Sequence, residues 1–263
     1  MRIFRKAFTP LVVASIVAAA GCGGATDDPL AIPDSPDGTV QVVMDGLVQH
    51  HPEILWRALP SSYRSAVNEL AASFAEHIDP VLFERSIAVA RKGSVVLPGT
   101  KALILATETA ENSGIDSEKL DAAWEGGMLF LDALLASDLA RLEAYPSLDV
   151  EAVLASSGRV MMGHLADFAA AEGGQENLAA TLASFENTHV ELVSLNGDRA
   201  TIRVTPPDED PVDMGMIRVE ERWVPEEFAA EWPQLVARAR ERIEFLGSDE
   251  SAQLRVQLLF GIG

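Results

Sequence analysis

Cysteine occurs once in the 263 residues, at Cys22, and histidine only five times. A single thiol excludes an intrachain disulfide framework, a cysteine-rich zinc site and CxxC redox chemistry. Basic residues are scarce as well: 20 Lys and Arg face 40 Asp and Glu, a formal charge of −20. A surface of that sign repels phosphate backbones, so no nucleic acid is expected as a partner, and its first use is to keep an exported protein soluble. There is no P-loop, GxGxxG, GxSxG, HExxH or EF-hand loop, which removes the common motif-bearing enzyme classes. What remains, 48% hydrophobic and 23% charged, is an ordinary globular composition with enough apolar residues for a substantial core.

The N-terminus departs from that average. Arg2, Arg5 and Lys6 precede an almost wholly apolar run from Ala7 to Ala20, followed by Gly21 and Cys22, the order of an export signal. The run has 14 residues, about 21 Å as a helix. A bilayer core of about 30 Å needs about 20, so the segment is expected to direct export and then be removed. Without the leader's three bases, 17 remain against 40 acids, a formal −23.

Ala19-Ala20-Gly21-Cys22 resembles the lipobox of bacterial lipoproteins, differing at Ala19, where the family prefers Leu. The resemblance implies lipidation of Cys22, cleavage after residue 21 and a membrane partner through that anchor. Two or three acyl chains, at about 0.8 kcal/mol per buried methylene, hold a protein effectively permanently. Gly23, not being Asp, points to the periplasmic side of the outer membrane by the sorting rule of enteric lipoproteins. Residues 22–38 then hold three Pro, four Asp and three Gly and are expected to form a flexible spacer that does not pack.

Residues 39–187 read as helical. Val40, Val43, Met44, Leu47 and Val48 form one stripe, closed by His50-His51-Pro52. Tyr63, Val67, Leu70, Phe74 and Ile78 form another, with Ser61 or Ser62 as N-cap and Asp79-Pro80 as the stop. The two are expected to share a core with Ile54, Leu55, Trp56 and Leu59. Further helix is expected after Pro80, with a break at Pro98-Gly99, then a helix from Asp116 bent at Gly126-Gly127. Another opens at Ser147 or Asp149, with Val150, Val153, Leu154, Met161, Leu165 and Phe168 on one face and Gly173-Gly174 at its end.

Over 188–225 the pattern changes to period two. Asn196-Gly197-Asp198 between apolar arms is a strong hairpin signal, and Ala200, Ile202 and Val204 alternate with polar residues. A three- or four-stranded antiparallel meander is predicted. Residues 226–263 return to helix through Phe228, Trp232, Leu235, Val236, Ala239, Ile243 and Leu246, restarting at Pro233, with a short last helix over 251–260. With no alternating βα units, the fold class is α+β, mostly helical.

Several residues could carry chemistry. His77 beside Glu76 and Asp79, His164 before Asp167 and His189 before Glu191 are each a possible base with an orienting acid, but in so acidic a chain such neighbours arise by chance. His50-His51 with Glu53 has the donors of a metal site without the spacing, and reads as a polar helix end. Asp208, Glu209, Asp210 and Asp213 could hold Ca²⁺ but lack the wrapping order of a calcium loop, so a solvated acidic turn is expected. Trp56, Trp124, Trp223 and Trp232 read as core, the last two as helix-on-sheet packing. No catalytic residue, metal or cofactor is assigned.

The segments from Val190 to Ile202 and from Ile217 to Val224, after leading helices, resemble the hairpin and final strand of secreted cone-shaped α+β domains related to nuclear transport factor two. The mature chain as a whole is similar to uncharacterised lipoproteins of large-genome bacteria, a resemblance that implies no activity. The expectation is a lipid-tethered periplasmic domain that binds a protein or small molecule without catalysis. The rivals are a small-pocket enzyme using one of the His/carboxylate pairs and an envelope assembly or chaperone-like factor. A pocket walled by the sheet and joining a His to a carboxylate would favour the enzyme.

Overall fold

A computed structural model describes residues 28, 30–105, 117–172, 178–207 and 209–248, without the side chains of 102–105, 117–123, 166–172, 178 and 179. Cys22, Asp116, Gly173, Gly174, Asp208 and the expected helix over 251–260 lie outside the described residues. The architecture is α+β and mostly helical, with the antiparallel sheet near the C-terminal end of the chain.

Helix α1 (Pro36–Val48) opens with Ser35, whose hydroxyl accepts from the Gly38 N–H at 3.2 Å. Its buried face is the expected stripe, Val40, Val43, Met44 and Leu47. The spacer expected over 22–38 is corrected for its described part from residue 30 onward, where Leu30 and Pro36 are buried and Ile32 packs against the core. Asp28 is bound by Arg57 at 2.5 Å and Asp34 by Arg218 at 2.7 Å, so charges that looked solvating are tied to distant elements.

Short helix α2 (Glu53–Ala58) is next, and α1 comes so close to it that a methyl group at Gly46 would lie 3.0–3.1 Å from carbons of Ile54. Helix α3 (Ser61–His77) succeeds it. Its expected N-caps Ser61 and Ser62 are instead its first two residues, capped from outside by Glu220. The core expected to be common to α1 and α3 is two clusters. Ile54 joins α1 in one, whereas Trp56 and Leu59 join Tyr63 and Val67 of α3 in the other, so the six residues of α2 straddle both.

Helix α4 (Pro80–Leu105) runs unbroken through Pro98-Gly99, contrary to expectation. Both residues are exposed, so water can reach the carbonyl that the proline leaves without a donor. Helix α5 (Ser117–Ala136) is likewise continuous through Gly126-Gly127. Asp149 caps α6 (Val150–Val153), as one of the two expected openers, by accepting from the Ala152 N–H at 2.8 Å. A π-helical turn over Leu154–Gly158 then leads into α7 (Arg159–Glu172). The wider turn shifts the phase of α7, so Met162 rather than the expected Met161 is buried and Leu165 is exposed. Helix α8 (Leu178–Glu186) adds Leu182 and Phe185 to the first cluster.

Strands β1 (His189–Asn196), β2 (Arg199–Thr205), β3 (Val212–Val219) and β4 (Arg222–Pro225) form the expected meander in the order β1-β2-β3-β4. The β1–β2 turn is two residues, and Gly197 supplies its left-handed φ of 59°. Ala200, Ile202 and Val204 are buried on the face that packs against α1, together with Val190 and Met216. Helix α9 (Glu226–Leu246) passes through Pro233 without restarting, because that proline too is exposed. Trp232 stacks on Tyr63 of α3, with ring centroids 4.3 Å apart, in the second cluster, against which Val219 of β3 also packs. Among the described residues no helix is long and apolar enough to cross a membrane.

Candidate functional site

The two clusters do not close against each other completely, and a cavity of about 70 Å³ lies where they meet, partly open to the surface. Helix α1 contributes Val40, Val43, Met44 and Leu47. The sheet supplies Met216, Trp223 and Val224, and Trp56, Leu59 and Leu154 come from the second cluster. Phe185 and Phe228 close the rim with Pro225. Such a seam arises from α2: Ile54 and Trp56 are two positions apart on a helix and point to different faces, so one short element must serve two cores.

The lining is almost entirely apolar. Thr39 brings the one hydroxyl among the described lining residues, and that group donates to the Pro33 carbonyl at 3.1 Å. Trp56 and Trp223, 1% and 4% exposed, line the cavity through their apolar ring surface, their indole N–H groups being buried and without an acceptor among the described residues. The Trp124 indole on α5 is also without an acceptor among the described residues, but it does not line the cavity. Arg218 lies 5.9 Å from the centroid of the Trp223 ring.

Behind α2 sits a polar cluster. Glu53 is 0% exposed, and its Oε1 accepts from His51 Nδ1 at 3.0 Å, from Arg159 Nε at 3.0 Å and from Arg159 Nη2. Burial pushes its carboxyl up, but the hydrogen bonds, that from Arg159 foremost, outweigh it and hold the group below the usual carboxylate range. Its Oε2 has no partner among the described residues. Arg57 ties the same helix to Glu151 at 2.6 Å. The π-helical turn therefore has a wall of the cavity at Leu154 at one end and meets the ion pair of α2 at Arg159, just beyond the other.

The residues singled out in the sequence are not gathered at this cavity. His77 Nδ1 donates to the Ser73 carbonyl at 2.8 Å, and Asp79, its expected acid, caps α4 through the Val81 N–H at 2.9 Å. His189 is exposed, and neither it nor His164 lines the cavity. His50 is exposed at the end of α1, so only His51 and Glu53 of that trio meet. Among the described residues no three His, Cys, Asp or Glu are grouped as metal ligands. Glu209 and Asp210 are exposed, whereas Asp213 pairs across the strands with Arg203 at 2.8 Å.

Trp56 and Trp223 were legible as buried aromatics, but nothing in the sequence brings two indoles 167 positions apart to one cavity. Glu53 stands out in the sequence beside His50-His51, but nothing there points to Arg159 as its partner. The chain matches no protein-family model, no curated protein and no solved structure.

Proposed function

We propose that the protein is an exported, lipid-tethered envelope domain that binds a small apolar molecule without transforming it. The observation that carries this reading is the cavity between the two clusters, walled by the sheet and α1, where apolar burial is available and, among the described residues, no histidine or carboxylate borders it. The formal charge of −20 supports a partner other than nucleic acid. Lipidation at Cys22 rests on the lipobox resemblance and the export signal before it.

Two measurements test the reading. Mass spectrometry of the mature N-terminus from membrane fractions should show a lipid mass on Cys22 that is absent from Cys22→Ser; an unlipidated, freely soluble wild type removes the tether. Titration of the mature chain with n-pentane, followed by NMR of its methionine methyls, should shift Met44 and Met216 saturably. Ala58→Phe, which fills the cavity from its α2 wall, should abolish those shifts. The absence of saturable shifts in the wild type removes the binding site.

One observation favours the assembly role as a second reading. Val81, Val89, Val95 and Val96 of α4 are exposed, Val95 to 79%, which is much apolar surface for one helix. Light scattering of wild type and Val89→Glu tests it, since a concentration-independent monomer in both leaves that surface without a role.

A further inference from the structure

Among the described helices, α4 is the one in which bases outnumber acids: Arg85, Arg91, Lys92 and Lys101 stand against Glu84, in a chain of formal charge −20. Helix α9, by contrast, sets five glutamates among its three arginines. Arg85, Arg91 and Lys92 are exposed, and none of the three makes an ion pair among the described residues. Beside them on the outer face are Val89 and Val96, 69% and 58% exposed. Phe83, Ile87 and Leu97 on the inner side are half-buried, so α4 is apolar on both sides, where a surface helix is ordinarily polar outside.

The helical repeat orders these side chains. Leu82, Val89 and Val96 recur at seven residues, two turns, and line up in one exposed row; Val81, Ala88 and Val95 form another. Arg85 and Lys92 run between the rows, about 60° round the axis from the first and about 40° from the second. We propose that this face of α4 adsorbs to the headgroup layer of an anionic phospholipid membrane, where Arg85, Arg91 and Lys92 meet lipid phosphates and the valines beside them leave water. A helix face is convex, and the rows from residue 81 to 96 extend about 22 Å, which suits a flat sheet of negative charge. A second copy meeting it face to face would set Arg85 and Lys92 against their own counterparts. Valine is short and the cationic stems are long, so the contact is shallow. The same membrane repels the acidic remainder of the body, so contact through α4 also fixes which way the domain faces. The proposal goes beyond the tether and needs neither a lipid on Cys22 nor a ligand in the cavity.

The test uses the chain from residue 22 onward with Cys22→Ser, so that no acyl chain contributes, and sediments it with vesicles of phosphatidylglycerol or of phosphatidylcholine. Binding to phosphatidylglycerol should be saturable, about tenfold or more tighter than to phosphatidylcholine, and weakened by salt. Arg85→Gln with Lys92→Gln should weaken it about tenfold or more, and Val89→Ser with Val96→Ser about threefold or more. Arg238→Gln on α9 should leave it within about twofold. All of these positions are exposed, and far-ultraviolet circular dichroism establishes that each variant keeps its helices. A wild type that does not bind phosphatidylglycerol vesicles overturns the proposal, as does binding that Arg238→Gln weakens as much as the α4 pair does, which marks diffuse attraction. Self-association of the wild type that Val89→Ser with Val96→Ser abolishes, without lipid binding, assigns the face to a second copy and overturns the proposal too. None of these results touches the lipid on Cys22 or the cavity, which stand on their own tests.

Discussion

Glu220 and Ser61, 159 positions apart, share two hydrogen bonds: the carboxylate accepts from the Ser61 amide at 2.8 Å and from its hydroxyl at 2.6 Å. The second carboxylate oxygen takes the Ser62 amide at 3.2 Å. A residue of the β3–β4 turn, held at φ 56°, thus supplies the cap that the N-terminus of α3 lacks, and places a negative charge where the helix dipole favours one. The Ser61 hydroxyl foremost, with Ser62 and the two amides, lowers the Glu220 carboxyl from 4.5 to about 2.

Because the folded carboxyl titrates below the unfolded one, its stabilisation is complete above pH 4.5 and fades as the pH falls towards about 2. Glu220→Gln should therefore lose less stability than wild type across that acid range, while costing about 1 kcal/mol at neutral pH as a weakened cap. Urea midpoints at stepped pH measure both. Parallel acid limbs would show that the charge of Glu220 does not stabilise the fold.

Removing Arg159 leaves Glu53 as a buried charge with His51 as its remaining side-chain donor. Arg159→Met is expected to cost about 3–5 kcal/mol by denaturant unfolding. Adding Glu53→Gln should restore much of that loss, because a neutral amide needs no counter-ion. A double variant as unstable as the single would mean that the arginine acts through packing alone.

Gly46→Ala forces a methyl group against Ile54 and should cost about 1–3 kcal/mol through separation of α1 from α2. Ile54→Ala removes two of the three obstructing carbons, Cγ1 and Cγ2, and keeps Cβ, at its own expense. The pair combined should lose less than the sum of the two, and the double-mutant cycle reads that difference. Strict additivity would place the strain elsewhere.

Pro98→Ala restores an N–H within an unbroken helix on an exposed face, and should raise stability by about 1–3 kcal/mol. Thermal unfolding decides it. A neutral or destabilising result would indicate that the chain breaks at Pro98, as its sequence suggests.

The parts legible in the sequence are those in which a local pattern has one cheap solution. The alternation of Ala200, Ile202 and Val204 beyond a glycine able to take positive φ fixes a hairpin and its inward face. The stripe of α1 likewise buries Val40, Val43, Met44 and Leu47, whereas that of α3 buries Tyr63 and Val67 and leaves Leu70, Phe74 and Ile78 half-buried. Local chemistry misleads at Pro98 and Pro233, where the helices continue despite the lost hydrogen bond and the crowding of the preceding turn; both prolines are exposed, on a side where the turn has room to give and water can reach. It misleads at Leu30 and Asp28 too, since a segment rich in Pro and Asp looks solvated until Arg57 and the first cluster receive it.

The sequence by itself determined the fold class, the antiparallel meander and its inward face, because each is written in residues close together along the chain. Only the tertiary structure decided that α2 would be divided between two cores, that their seam would leave a cavity, and that Trp56 and Trp223 would line it while their buried N–H groups meet no acceptor among the described residues. Hydrophobic burial is non-directional and says that a tryptophan goes inside, not which distant side chain it meets there. Whether its N–H finds an acceptor depends on that meeting.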